Sequence, residues 1–119
     1  MATSEKLISE LNSLIEQTKN KKISWSTQSN NPNGFIWDRE IDGINYRVSI
    51  QGVNTQNLAG SFYMFNIFKQ EPTYMNPVLQ INTQVEPDYK TILIALYIEA
   101  LKSSQESSAN LLSGILKGL

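Results

Sequence analysis

Cysteine and histidine are both absent from this 119-residue chain. Their absence removes disulfides, thiolate nucleophiles, imidazole bases, Cys/His zinc sites and every Ser–His catalytic arrangement. The glycines fit neither GxGxxG nor GxxxxGK[ST], so no phosphate-binding loop is indicated, and no calcium-loop pattern is present. We therefore expect no metal, no cofactor and no enzymatic activity.

An excess of charge is also absent, because ten Lys and Arg residues face eleven Asp and Glu residues and the net charge is −1. A protein without a global positive field has no electrostatic basis for collecting DNA or an anionic membrane. No apolar run reaches the roughly 18 residues that a membrane span needs, the nearest being residues 92–98. Residues 1–119 are predicted to form a single cytoplasmic domain that binds neither DNA nor membrane.

The first third of the chain shows helical periodicity followed by strand alternation. Apolar residues recur at intervals of three and four in LISELNSLIEQT, which predicts a helix over about residues 4–19 with a threonine or serine cap. Residues 23–28 alternate between apolar and polar and predict a half-buried strand. The segment NNPNG, residues 30–34, predicts a loop.

The strongest local signal is Asp42-Gly43 between two alternating runs, which is typical of a two-residue type I′ hairpin turn. This turn fixes the register of the two strands. One predicted face carries Phe35, Trp37, Arg39 and Ile41 opposite Ile50, Val48, Tyr46 and Ile44. The other predicted face carries Asp38 opposite Arg47 and Glu40 opposite Asn45.

Two further strands are predicted after the hairpin. Residues 61–69 are apolar on both faces apart from Asn66, which indicates a central strand covered on both sides or buried at a subunit contact. Residues 77–84 predict a last short strand, and the polar residues 52–60 predict a loop. The simplest arrangement is a five-stranded antiparallel sheet in meander order.

The rest of the chain is predicted to be helical. Pro87 and Asp88 suit a first helical turn, and an apolar stripe follows over residues 89–101. The Ser-rich residues 103–108 are predicted to link this helix to a last, short one. The predicted fold class is therefore α+β, with an N-terminal helix, a five-stranded antiparallel meander sheet and two C-terminal helices.

Arg39 is the clearest candidate for a binding residue, because the hairpin register places its guanidinium on an otherwise apolar face. A buried guanidinium needs an acid, a carbonyl, water or a bound anion. An arginine among aromatic rings also offers the stacking and the forked donors that a nucleotide requires. The candidate ligand-binding residues are Arg39, Trp37, Tyr46, Trp25 and Arg47.

These features also have structural interpretations. Arg39 can extend into solvent over Tyr46 at an edge of the sheet, and the tryptophans are typical of a hydrophobic core. Asp38, Glu40 and Asp42 offer carboxylates for acid–base chemistry, but a solvated hairpin face with Asp38 paired to an arginine accounts for them better.

The element order and two segments, LIEQTKNKKISW and LYIEAL, resemble a group of small phage proteins, the anti-Thoeris sponges of the first type. The resemblance implies a non-enzymatic homo-oligomer in the host cytoplasm. Such a protein sequesters a cyclic ADP-ribose isomer or a cyclic oligonucleotide in pockets between subunits, through aromatic stacking and basic or polar contacts to phosphates. The alternative hypotheses are a small protein-interaction module, such as an inhibitor or immunity factor, and an enzyme that uses carboxylates alone.

Overall fold

The computed structural model describes residues 4–28, 31–54, 61–70 and 77–119. In chain order these residues form α1 (Glu5–Lys19), β1 (Ser26–Gln28), β2 (Asn31–Ile41), β3 (Ile44–Asn54), β4 (Ser61–Lys69), β5 (Pro77–Asn82), a 3-10 turn (Pro87–Tyr89) and α2 (Lys90–Leu116). The strands form one antiparallel sheet in the order β1-β2-β3-β4-β5. The predicted α+β class and the five-stranded meander are thus confirmed.

The N-terminal helix α1 begins where the sequence predicts. Ser4 caps it, because the Ser4 side-chain oxygen accepts a hydrogen bond from the Leu7 backbone N–H at 3.3 Å. Leu11 and Ile15 are buried in the core. The helix packs mainly against α2 rather than on the sheet, so part of the sheet beside it stays uncovered by the described elements.

The β2–β3 hairpin has the predicted turn and register. Asp42 and Gly43 have φ angles of 52° and 81°, and a type I′ turn requires positive φ at both positions. All six predicted cross-strand pairs are observed, including Arg39 opposite Tyr46. The hairpin therefore presents its residues to the two faces of the sheet as the sequence predicts.

The two faces of the sheet differ in composition. The inner face packs against the helices, and its Phe35, Ile50, Phe65 and Ile81 form the core together with helical residues such as Leu93 and Leu96. The outer face carries the alternate positions, among them Asp38, Arg47, Ser49, Gln51 and Asn66. Strand β4 lies between β3 and β5, as expected for a non-edge strand.

The prediction of two C-terminal helices is wrong. The Ser-rich segment 103–108 lies inside one continuous helix, α2. Serine costs only a few tenths of a kcal/mol in a helix, and this segment contains neither glycine nor proline. Two of its serines also bond to the chain around β1: the Trp25 backbone N–H donates to Ser103 Oγ at 2.9 Å, and the hydroxyls of Ser104 and Thr27 lie 2.9 Å apart.

The region around β1 also differs from the prediction. Strand pairing begins only at Ser26, since the backbone N–H of the preceding Trp25 is bonded to α2 rather than to a neighbouring strand. The predicted loop 30–34 is largely part of β2, because Asn31 Nδ2 donates to Gln51 Oε1 across the sheet at 2.9 Å. The predicted loop 52–60 starts later, since β3 continues to residue 54, and residues 29, 30 and 55–60 lie outside the described residues. Strand β5 ends at residue 82, two residues short of the prediction.

Candidate ligand-binding groove

An open apolar groove of about 470 Å³ lies between α1 and the inner face of the sheet. One wall is a single side of α1, formed by Leu7, Glu10, Leu11 and Leu14. The opposite wall comes from four strands and consists of Trp37, Arg39, Ile41, Tyr46, Val48, Phe65, Ile67 and Leu79. The groove is present because α1 packs against α2, so that no described helix covers this part of the inner face. We call this feature the groove.

Three of the five predicted ligand-binding residues, Trp37, Arg39 and Tyr46, line the groove. Trp37 and Arg39 are two positions apart on β2, so they share a face, and Tyr46 is the cross-strand partner of Arg39. Trp37 and Tyr46 are half-buried, whereas Arg39 is exposed. The local alternation of one hairpin is thus sufficient to bring these three side chains together.

The groove carries opposite charges on its two walls. Arg39 supplies a guanidinium from the sheet, and Glu10 supplies a carboxylate from α1. Within the described ranges Arg39 forms no ion pair. Its forked N–H donors therefore remain available to an anionic ligand, while the Glu10 carboxylate can accept hydrogen bonds from ligand hydroxyl or amino groups.

Trp25, the fourth predicted residue, lies behind the groove rather than in it. Its side chain is fully buried, and its indole Nε1–H donates to Thr18 Oγ1 at 3.0 Å. The ring centroids of Trp25 and Trp37 are 6.3 Å apart with the planes tilted by 52°. Trp25 therefore helps to position Trp37 and has no surface with which to contact a ligand.

Arg47, the fifth predicted residue, lies on the outer face, away from the groove. Its Nε and Nη2 donate to the two carboxylate oxygens of Asp38 at 2.7 and 2.9 Å. This forked ion pair engages both oxygens of Asp38, the first of the three hairpin carboxylates that the sequence offers for acid–base chemistry. Arg39 and Arg47 therefore form a natural pair for comparison, one at the groove and one on the opposite face.

A second cavity, of about 210 Å³, was not predicted from the sequence. It lies on the inner face and is lined by Gly52, Tyr63 and Tyr97 among others. The two tyrosine rings are 5.5 Å apart in an edge-to-face arrangement. Burial, with a smaller contribution from Tyr63, raises the pKa of Tyr97 above 10.0, so its hydroxyl is protonated at neutral pH. A β-carbon at residue 52 would lie 3.2 and 3.3 Å from these rings, so glycine allows their close approach.

A third cavity, of about 200 Å³, lies where the C-terminal end of α1 meets α2, and its lining is more polar than that of the groove. Its three lysines are matched by acids: Lys21 lies 3.0 Å from Glu106, Lys102 lies 3.5 Å from Glu99, and Lys19 lies 3.9 Å from Glu16. Because these positive charges already have partners, this cavity is a weaker candidate for an anion than the groove.

The described residues give no indication of a metal centre or a membrane span. No group of three or more Asp or Glu side chains converges in them as metal ligands would. Neither of their helices combines the length and the hydropathy required to cross a membrane. Comparisons with protein-family models, with curated proteins and with solved structures find no match to this chain.

Proposed function

We propose that this protein is a non-catalytic binding protein and that the groove is its ligand site. The observation that carries the proposal is the convergence of Trp37, Arg39 and Tyr46 on one open apolar groove. The ligand that fits has a planar or apolar body and an anionic group. Cyclic nucleotides, such as a cyclic ADP-ribose isomer or a small cyclic oligonucleotide, belong to this class and would be held intact, as by a sponge for an immune signal.

Each part of the groove has a role in this proposal. The rings of Trp37 and Tyr46 stack on a base, and the Arg39 guanidinium donates two parallel hydrogen bonds to a phosphate. The apolar floor strengthens these polar contacts by excluding water. Glu10 accepts hydrogen bonds from ribose hydroxyl groups.

The proposal is tested by thermal melting with a panel of cyclic nucleotides and their linear counterparts. A ligand at about 100 times its Kd stabilises the folded state by about 2.7 kcal/mol, which corresponds to a shift of several degrees for a domain of this size. We expect a shift with at least one cyclic member, loss of the shift in Trp37→Ala, and recovery of the unchanged ligand by chromatography. A ligand recovered as a cleaved product would contradict the non-catalytic assignment.

A protein-interaction module is the second candidate, and one observation favours it. The C-terminal end of α2 exposes several large apolar side chains, including Leu111 and Ile115 at 68% and 62%. Exposed apolar surface of this kind is typical of a protein interface. Binding to a protein partner that survives Trp37→Ala and Arg39→Ala, but is lost when the end of α2 is changed, would favour this function over the first.

A further inference from the structure

Residues 108–119 comprise the end of α2 and the three residues that follow it, and they extend past the body of the protein. We call this segment the tail. All of its residues are exposed. The last buried residue of α2 is Ser104, and Lys21 pairs with Glu106 at 3.0 Å just before the tail. Within the tail only Asn110 borders the third cavity. The tail nevertheless carries large apolar side chains that are between 53% and 100% exposed, namely Leu111, Leu112, Ile115, Leu116 and Leu119.

The four of these side chains that lie in α2 form a single stripe, and Leu119 follows the end of the helix. At about 100° per residue the helical positions of the four fall within a sector about 140° wide. The opposite side of the tail is polar and includes Asn110, Ser113 and Lys117. The tail is therefore an amphipathic helix that lacks a partner among the described elements.

The tail cannot occupy the groove of its own chain. Helices α1 and α2 run side by side in the same direction, since the Ser4 backbone N–H bonds to the Tyr89 hydroxyl at one end and Lys21 pairs with Glu106 at the other. The groove borders α1 between residues 7 and 14, whereas the tail continues beyond the far end of α1. Because α2 is unbroken to Leu116, the tail points away from the groove.

We propose that the tail of one copy docks into the groove of a second copy. An amphipathic helix in an apolar groove is a common mode of recognition, with anchors at helical spacing. The groove wall on α1 runs from Leu7 to Leu14, a rise of about 10 Å, which matches about two turns of the tail. This contact buries both apolar surfaces at once, whereas pairing of two tails would leave the groove open.

The charges of the two surfaces are complementary. Lys117 is the only charged residue of the tail, and Glu10 is an acid on the groove wall. The C-terminal end of α2 also carries the negative end of the helix dipole, which favours a cation such as Arg39 nearby. A tail that enters the groove with Lys117 near Glu10 and its last turn near Arg39 places each charged group beside one of opposite sign.

The area involved indicates a reciprocal exchange. A fully exposed Leu or Ile side chain presents roughly 60–120 Å² of apolar surface, by its transfer free energy. At their observed exposure the five tail side chains offer roughly 300 Å², so one contact buries roughly 600 Å² in total. Two symmetric contacts reach roughly 1,200 Å², the lower limit for a stable dimer. We therefore expect a dimer in which each copy gives a tail and receives one.

The experiment compares four double or single variants by sedimentation and light scattering. The tail variant is Leu112→Glu with Leu116→Glu, and its control is Asn110→Glu with Ser113→Glu, on the polar side of the same helix. The groove variant is Ile41→Glu, and its control is Val78→Glu. Ile41 and Val78 are 51% and 61% exposed, so neither change opens the core, and Val78 does not line the groove.

The wild type and both controls should sediment at twice the 13.5 kDa mass of one chain at high micromolar concentration. The tail variant and the groove variant should each be monomeric alone. An equimolar mixture of the two retains one of the two contacts, because the intact groove of one accepts the intact tail of the other. It should therefore associate more weakly than the wild type, but with a Kd at least about tenfold lower than for either variant alone. Pairing of two tails predicts a different result, because the groove variant would then be dimeric alone and the tail variant would have no intact tail to contribute to the mixture.

Three results would overturn the inference: a monomeric wild type, a groove variant that remains dimeric, or a mixture that associates no more strongly than either variant alone. Circular dichroism of each variant confirms that its fold is intact. The experiment contains no small ligand, so its outcome is independent of the proposed function.

Discussion

Replacing Thr18 by Val tests the contact that holds Trp25 behind the groove, where the Trp25 ring packs on that of Trp37. Thr18 is 5% exposed, and it accepts the hydrogen bond of the fully buried Trp25 indole at 3.0 Å. Valine has nearly the same shape but no acceptor, so the buried indole N–H would lose its partner. An orphaned buried donor costs about 1–3 kcal/mol, and the additional buried methyl group of valine offsets up to about 0.8 kcal/mol. We expect the free energy of unfolding to fall by about 1–2 kcal/mol.

Urea denaturation followed by circular dichroism measures this change, and a double-mutant cycle isolates its cause. In a Trp25→Phe background no indole donor exists, so Thr18→Val should cost less than about 0.5 kcal/mol there. Threonine and valine have similar helix propensities, so the helix itself adds little. The control Thr18→Ser keeps the hydroxyl and removes one methyl group, at a cost of about 0.8 kcal/mol.

The result that would refute this reasoning is an equal loss of stability from Thr18→Val in the two backgrounds. Such a result would show that the indole hydrogen bond contributes nothing measurable. The position of Trp37, whose ring packs on that of Trp25, would then have to be explained by packing alone.

Three further predictions concern the turn, the groove and the long helix. Gly43→Val should lower stability by about 1–2 kcal/mol, measured by urea denaturation, because φ is 81° there and the space around the β-carbon is open, so only backbone strain acts. If a cyclic nucleotide binds, calorimetry should show that Arg39→Ala loses about 1.5–3 kcal/mol of affinity, whereas Arg47→Ala, on the outer face, loses much less; equal affinities would contradict the assignment. Gln105→Gly should destabilise the protein by about 1 kcal/mol relative to Gln105→Ala, because α2 is continuous at this exposed position. Thermal melting measures the difference, and equal stability of the two variants would indicate a flexible link instead of a helix.

The fold was predictable where a local rule decides the structure. The Asp42-Gly43 turn pairs Ile41 with Ile44 and thereby fixes the register of β2 and β3. Each of the six cross-strand pairs predicted from this turn is observed. The prediction that the Ser-rich segment interrupts the helix was wrong, because the conformation of this segment depends on contacts with residues far away in the sequence. Ser103 and Ser104 bond to residues 78 and 77 positions away in the chain, and no local pattern signals those bonds.

The candidate site was predictable only in the part that the hairpin supplies. Alternation along β2 and β3 places Trp37, Arg39 and Tyr46 on one face, and it also places Arg47 on the other face. The burial of Trp25 and the position of Glu10 on the groove wall depend on how α1 lies relative to the sheet. That arrangement arises from the packing of α1 against α2, which the periodicity of each helix does not reveal.

The two proposals share one surface, and this has a thermodynamic consequence. If the tail of a second copy and a small ligand both require the groove, each lowers the apparent affinity of the other by the same factor. Ligand would then dissociate the dimer, and the apparent Kd for ligand would rise with protein concentration in the wild type but not in the tail variant, whose groove is always open. A ligand that instead strengthens the dimer would show that the ligand and the tail do not compete for the groove, while the mixing experiment would still decide where the tail binds.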